Sequence, residues 1–342
     1  MRFSPLKHDG SPANYRIFLA EMLGMFVFTY VSCSTTASVV RGNARDPSIV
    51  TMQPSSFGNA GTIALGTGLG LALGVMLTMG VTKPHLNPAV TLALVFCGEV
   101  TWCLVPMYMA AQAAGAGIGA AFMFSIHGPG LNALPKAIGR QAFAISLLDD
   151  NIYNIATLLW EQLWLSSLYM IVYLAASDKH KADLTKRNSP EVQNDPNRSI
   201  VFPIALGVTY AGIFLVSSIN AASTVNPAKD LFPRLMAYFL GFSSAMNSFL
   251  LVPLFVPFVG CPIGALIYYA AIGWLWPDVE QEGFTEEEER LLDLQDEIAD
   301  LKELLLPPMP QEEPGPEEPI ESFGALEKTE PGKTSLSKLF QS

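Results

Sequence analysis

Two tripeptides, Asn87-Pro88-Ala89 and Asn226-Pro227-Ala228, carry the residue types with the most chemistry to offer. Asparagine caps the free backbone donors of a helix start, and proline at the first helical position loses no hydrogen bond. Each tripeptide therefore predicts a helix that begins at its asparagine. While the side-chain oxygen caps, the amide NH2 can face a lumen, where a water or hydroxyl accepts from it and turns its own hydrogens elsewhere. Such orientation interrupts a proton-conducting chain of waters.

The helices so started, residues 86–97 and 226–241, are too short or too polar to cross about 30 Å of hydrocarbon. They read as half-helices. Entering from opposite faces, they bring two positive N-terminal dipole ends together near the bilayer centre, which repels cations and hydrated protons. Two carboxylates, Glu21 and Glu161, lie inside apolar stretches, where a charge is expensive and normally faces the bundle interior against donors.

The elements that must position these groups follow from hydropathy. Stretches near 16–40, 60–82, 102–124, 156–177, 200–219 and 252–276 are long and apolar enough to span a bilayer. The order span, span, half-helix, span occurs twice. Asn226 follows Asn87 by 139 residues and Glu161 follows Glu21 by 140, so two independent landmarks argue for one duplicated unit. Three spans per unit is an odd number, which places the copies in opposite orientations. The fold class expected is an all-α membrane protein with six transmembrane helices and two re-entrant half-helices in an inverted repeat. Gly70 and Gly74, and Gly115, Gly117 and Gly119, suit close helix approach.

Composition agrees with a membrane protein, because half of the 342 residues are hydrophobic and only 15% are charged. The net charge of −11 divides unevenly: residues 278–342 hold 19 acidic and 5 basic groups, leaving 12 acidic and 15 basic before them. The low isoelectric point thus describes an appendage, and nothing in either part suggests a nucleic-acid binder. Cys33, Cys97, Cys103 and Cys261 follow no metal-ligand spacing and read as small buried hydrophobes. The polar first fifteen residues resemble no cleavable signal. Lys179, Lys181, Lys186, Arg187 and Arg198 gather in one loop with Arg2, Lys7 and Lys83 on the same side, which predicts cytoplasmic termini. The only sequon, at Asn197, falls in that inner loop and is expected to be unmodified.

The organisation expected is a cytoplasmic segment at 1–15, a membrane domain at 16–276 with repeats 16–124 and 156–276, and an acidic cytoplasmic tail at 277–342. Within the tail, Thr285 and Glu288 form a capping box, and Leu291, Leu294, Ile298, Leu301 and Leu305 make an amphipathic stripe over about 285–306. That stripe is either a partner-binding helix or a solvated one. The Pro- and Glu-rich run after Leu306 is expected to be disordered.

His85-Leu86-Asn87-Pro88-Ala89-Val90-Thr91 and Asn226-Pro227-Ala228-Lys229-Asp230 resemble the two signature loops of the aquaporins, or major intrinsic proteins. The resemblance covers 16–276. Asp230 and the proline-rich start of the last span, 253–264, resemble the aquaglyceroporin branch. It implies a passive plasma-membrane channel for water and for glycerol or similar small neutral solutes, closed to protons and ions, and assembled as a homotetramer with one pore per subunit. No cofactor or metal is implied. The resemblance also implies that Glu21 and Glu161 accept hydrogen bonds from the re-entrant loop backbone, and that His85 belongs to the pore loop. Counting as the family aligns, Thr67, Phe214, Ser223 and Lys229 form the outer selectivity filter. Lys229 stands where the family usually has arginine, which keeps the charge and loses the planar fork. Thr67 occupies a place usually aromatic.

Two other readings remain open, an ion-coupled carrier built on an inverted repeat and a scaffold whose pore is vestigial. A coupled carrier usually has titratable or cation-binding groups at the midplane, whereas the landmarks here are asparagines. His8, His85, His127 and His180 are scattered, and no nucleophile or base is spaced for catalysis.

Overall fold

The computed structural model describes residues 14–45, 58–143, 154–185, 200–218, 223–246 and 250–272. The amphipathic tail stripe and the sequon lie outside them. The described residues fall within the first of two compact units, Met1–Val279.

Three helices form the first repeat's spans: α1 (Asn14–Arg45), α2 (Ala60–Thr78) and α4 (Val105–Asn132), with the half-helix α3 (Pro88–Phe96) before the last. A short helix, α5 (Lys136–Gly139), follows. The second repeat comprises α6 (Ile155–Thr185), α7 (Val201–Ser217), the half-helix α8 (Pro227–Phe239), and α9 (Leu251–Phe255) with α10 (Pro257–Ala271). Among the described residues there is no strand.

Four of these helices are long and apolar enough to cross a membrane, and Val201–Ser217 and Pro257–Ala271 are shorter apolar helices. The sequence predicts one continuous sixth span; it is instead divided at Val256. Pro257 has no N–H to donate to the carbonyl four residues back, and this missing rung separates α9 from α10. α1 and α4 run past their expected ends, to Arg45 and Asn132.

The two repeats pack alike. α1 lies against α2 and α4, α6 lies against α7 and α10, and α2 crosses α7 between the repeats. Each half-helix packs on the third span of the other repeat, α3 on α10 and α8 on α4. The first spans therefore stand as backing walls, and the exchanged half-helices join the repeats.

Glycines set the closeness of these walls. A Cβ at Gly115 or Gly119 would stand 2.3 Å from Met22 O or 2.8 Å from Phe26 O on α1, and one at Gly260 or Gly264 would stand 2.7 Å from Leu163 O or 2.2 Å from Ser167 O on α6. In both repeats two glycines one turn apart on the third span meet backbone carbonyls one turn apart on the first. Gly117 faces open space, with no atom within 4 Å of its built Cβ. Gly264→Ala is thus expected to overpack a backbone contact that cannot yield, costing about 1–3 kcal/mol. Gly117→Ala should be neutral or slightly stabilising. Thermal melting of the detergent-solubilised variants checks this contrast, and equal melting temperatures would refute it.

The outer surface of the bundle carries exposed Leu65, Leu69, Leu73, Trp160, Trp164 and Leu168. Side chains of this kind, ringing helices of membrane length, suit contact with acyl chains. Cys33 and Cys261 are buried as expected, whereas Cys97 is half-buried and Cys103 is exposed. Cys103 departs from the expectation because it precedes the first residue of α4 and lies in a 3-10 turn, Trp102–Leu104, none of whose residues is buried.

Candidate functional site

Both asparagines cap as their sequence predicts. Asn87 Oδ1 accepts from Ala89 N at 2.9 Å, and Asn226 Oδ1 accepts from Ala228 N at 3.1 Å and Lys229 N at 3.2 Å. Pro88 and Pro227 occupy the first helical positions, followed by the buried Ala89 and Ala228.

The amide NH2 groups bind across the repeat interface. Asn87 Nδ2 donates to Val225 O at 3.0 Å, and Asn226 Nδ2 donates to Leu86 O at 2.7 Å. Each asparagine thereby binds the carbonyl of the residue that precedes the other asparagine. Among the described residues, Leu86 and Val225 are the non-glycine residues with positive φ, at 48° and 42°. A left-handed backbone is uncommon for leucine and strained for a β-branched residue. Here it accompanies a symmetric geometry in which both carbonyls accept across the repeat interface. Each of these bonds uses one of the two N–H groups of its amide.

Glu21, fully buried on α1, holds the first loop. Its Oε1 accepts from His85 N at 2.7 Å, and its Oε2 accepts from Leu86 N at 2.9 Å and Gln112 Nε2 at 3.0 Å. Gln112 Nε2 also donates to Thr91 Oγ1 at 3.1 Å, and Thr91 Oγ1 lies 3.1 Å from His85 Nδ1. The His85 ring stacks on Tyr108 with centroids 4.1 Å apart. The carboxylate thus braces the strained residue ahead of Asn87 with charge-assisted bonds.

A carboxylate also meets the second loop. Glu161 Oε2 accepts from the Ser223 hydroxyl at 3.0 Å, and Ser223 N donates to Ser217 Oγ at 2.8 Å. Ser223, aligned with the filter, is thus bound to the carboxylate expected to support the loop. Tyr210 OH donates to Thr224 O. Asp230, in the first turn of α8, accepts from Arg234 Nε at 2.9 Å and Nη2 at 2.7 Å, while Arg234 Nη1 donates to Ala245 O. The pair is buried, with both donors on the single oxygen Oδ2, and its residues stand four apart on one helix face.

Two of the positions expected in the filter, Thr67 and Lys229, meet one face of α1. Thr67 Oγ1 lies 3.0 Å from Ser32 Oγ, and the Lys229 Nζ stands 5.7 Å from the centroid of the Phe28 ring. Phe28 and Ser32 are one helical turn apart, so Thr67 from α2 and Lys229 from α8 meet neighbouring patches of the same wall. Phe214 on α7 lines a pocket of about 500 Å³ together with Val40, Asn43, Ile63 and Gln141. That pocket opens between the C-terminal ends of α1 and α7 and the start of α2.

Gln112, Arg234, Ser217 and Phe28 are absent from the sequence reading, and Thr91 enters it only as the end of the first signature loop, with no role of its own. Two left a signal: Gln112 is a lone amide inside an apolar span, and Arg234 follows Asp230 at helical spacing. Thr91, Ser217 and Phe28 are ordinary residues of membrane helices, and only folding reveals their partners.

An inverted pair of three-span repeats, whose half-helices begin at facing asparagines among buried polar groups, defines a membrane protein built around a lumen. A family model, the major intrinsic proteins, matches residues 9–268. The chain belongs to that family, and with it to the multi-pass membrane proteins. It is 28% identical over 281 residues to aquaporin-9 of Homo sapiens, an alignment covering 79% of this chain and 87% of the relative. It is also 28% identical over 271 residues to aquaglyceroporin-2 of Rhizophagus irregularis, covering 75% and 76%. Among solved structures, the aquaglyceroporin from Plasmodium falciparum superposes with a TM-score of 0.62 at 20% identity, covering 77% of this chain and 98% of that one. That likeness shows the shared all-helical aquaporin fold.

Proposed function

We propose that the protein is a passive channel for water and for glycerol or similar small uncharged solutes, driven by gradients alone and closed to protons and ions. The reciprocal bonds between Asn87 and Val225 O and between Asn226 and Leu86 O carry this reading. They hold two positive helix starts face to face with one spare N–H on each amide, a setting that repels cations and orients neutral hydrogen-bonding molecules. The relatives named for water and glycerol conduction support the choice of permeants.

Stopped-flow shrinkage of proteoliposomes, run with sucrose and with glycerol as osmolyte, tests it. Fast shrinkage in both and re-swelling in glycerol alone are expected. Absence of water flux above that of empty liposomes would refute the channel. Shrinkage without re-swelling would restrict it to water.

In this reading Thr67, Phe214, Ser223 and Lys229 form the filter, with Glu21, Glu161, His85 and Asp230 supporting the loops. Lys229→Met should remove a charged donor to solute hydroxyls and lower the ratio of glycerol to water permeability by about three- to tenfold. An unchanged ratio would take Lys229 out of the filter.

The same reading makes the protein a plasma-membrane homotetramer with both termini cytoplasmic, residues 16–276 as the channel domain, and 277–342 as an appendage whose amphipathic stripe docks a protein partner. The mass of the detergent-solubilised complex tests the assembly, and protease accessibility in sealed vesicles tests the orientation. Removing 278–342 should leave water permeability intact, and its loss would contradict the division.

A further inference from the structure

We propose that Ser32 is a specificity-determining residue of the pore: with Thr67 it forms a buried pair of hydroxyls that exchanges hydrogen bonds with the hydroxyl groups of a passing polyol. The inference rests on the reading of Thr67 as a filter residue. Ser32 stands on α1, outside the four positions aligned with the filter, and its Oγ lies 3.0 Å from Thr67 Oγ1 on α2. Both residues are fully buried, as Ser223 is.

The pair differs from its neighbours in where its protons go. Thr35 and Thr36 donate to the carbonyls one turn back, Val31 O and Ser32 O, each at 2.9 Å. A hydroxyl inside an apolar helix commonly satisfies itself in this way. Ser32 and Thr67 do not: among the described residues, the hydroxyl of each bonds the other alone. Two hydroxyls carry two hydrogens, and their mutual contact uses one. The second hydrogen and the remaining lone pairs are what the pair offers a solute.

Its place in the bundle suits that role. Val40 on α1, Ile63 on α2 and Phe214 on α7 line the pocket of about 500 Å³. One turn deeper along α2 from Ile63 is Thr67, and two turns deeper along α1 from Val40 is Ser32. Close packing of α1 on α2 is already supplied by Gly66 and Gly70, where a Cβ would stand 2.4 Å from Thr35 Oγ1 and 3.0 Å from Phe28 O.

A polyol entering a narrow constriction leaves its hydration behind, whereas a water in file keeps hydrogen-bonding neighbours ahead and behind. Each solute hydroxyl left without a partner raises the barrier, so loss of the pair slows a polyol more than it slows water.

The test is Ser32→Ala, Thr67→Val and the double variant of the full-length protein in oocytes, with Lys229→Met in parallel and surface protein quantified. Labelled-glycerol uptake divided by osmotic water permeability is the readout, which a merely structural role leaves unmoved. Either single variant should lower the ratio about three- to tenfold. A lone hydroxyl can turn to the carbonyl one turn back, as Thr35 and Thr36 do, so the double variant should match the singles. Should Ser32→Ala not reach the surface, the nearly isosteric Thr67→Val still decides.

An unchanged ratio in both single variants, with a lowered one in Lys229→Met, would overturn the proposal and leave the pair as a contact between helices, the filter reading intact. An unchanged ratio in all three would overturn the filter reading with it. A double variant far below both singles would refute the claim that the hydroxyls act as one unit.

Discussion

Glu21→Gln is expected to lower water permeability per surface-expressed protein by more than tenfold. Three donors converge on this buried carboxylate, His85 N, Leu86 N and Gln112 Nε2, at 2.7 to 3.0 Å. An amide of the same shape has one oxygen, so its NH2 must face at least one backbone N–H. Each buried donor left unmade costs about 1–3 kcal/mol. One such loss exceeds half a decade in the population of correctly formed loop and two exceed a full decade. The residue released is Leu86, whose left-handed backbone carries the carbonyl that Asn226 binds. Gln112→Leu should do less harm, because both backbone donors keep their acceptors. Quantified surface protein with oocyte swelling separates lost folding from lost conduction. Wild-type swelling by the Glu21→Gln variant would show that the carboxylate is not needed to hold the loop.

Asn87→Asp should turn a channel closed to protons and cations into one that leaks them, and should lower its water permeability. Two effects act in the same direction. An aspartate oxygen in place of Nδ2 would face Val225 O across 3.0 Å, oxygen against oxygen, and would loosen the crossing between the loops. Its charge would also sit where two half-helix N-termini meet, each equivalent to roughly half a positive charge, and would cancel much of the barrier. Asn226→Asp should behave alike, since Asn226 Nδ2 donates to Leu86 O. Proton flux into proteoliposomes carrying a pH dye, with valinomycin clamping the potential, is expected to rise about tenfold or more above the native protein if the dipole barrier dominates. Intact proton exclusion with normal water flux would refute the electrostatic role given to these asparagines.

A carboxylate of the first span meets the re-entrant loop in both repeats. In the first repeat Glu21 accepts from the loop backbone at His85 and Leu86, and in the second Glu161 accepts from the Ser223 hydroxyl. The second loop has a further anchor, the Asp230–Arg234 pair, with Arg234 reaching on to Ala245 O. Lys229 sits one residue from Asp230 in the first turn of α8.

The inverted repeat, the helix starts at Asn87 and Asn226, and the buried position of Glu21 were legible in the chain alone. Capping, hydropathy and spacing act over a few residues or recur at a fixed offset, and those leave a local imprint. The break of the last span at Val256 was also written there, in Pro257, though a smooth hydropathy profile conceals it. What only the tertiary structure decided are the meetings across that offset. Asn87 finds Val225, Asn226 finds Leu86, and Ser223 turns to Glu161. Lys229 lies over Phe28, some two hundred residues earlier in the chain. No periodicity encodes such pairs. They arise because glycine-lined spans bring the first and third walls of each repeat into backbone contact, which leaves the two exchanged half-helices one way to meet.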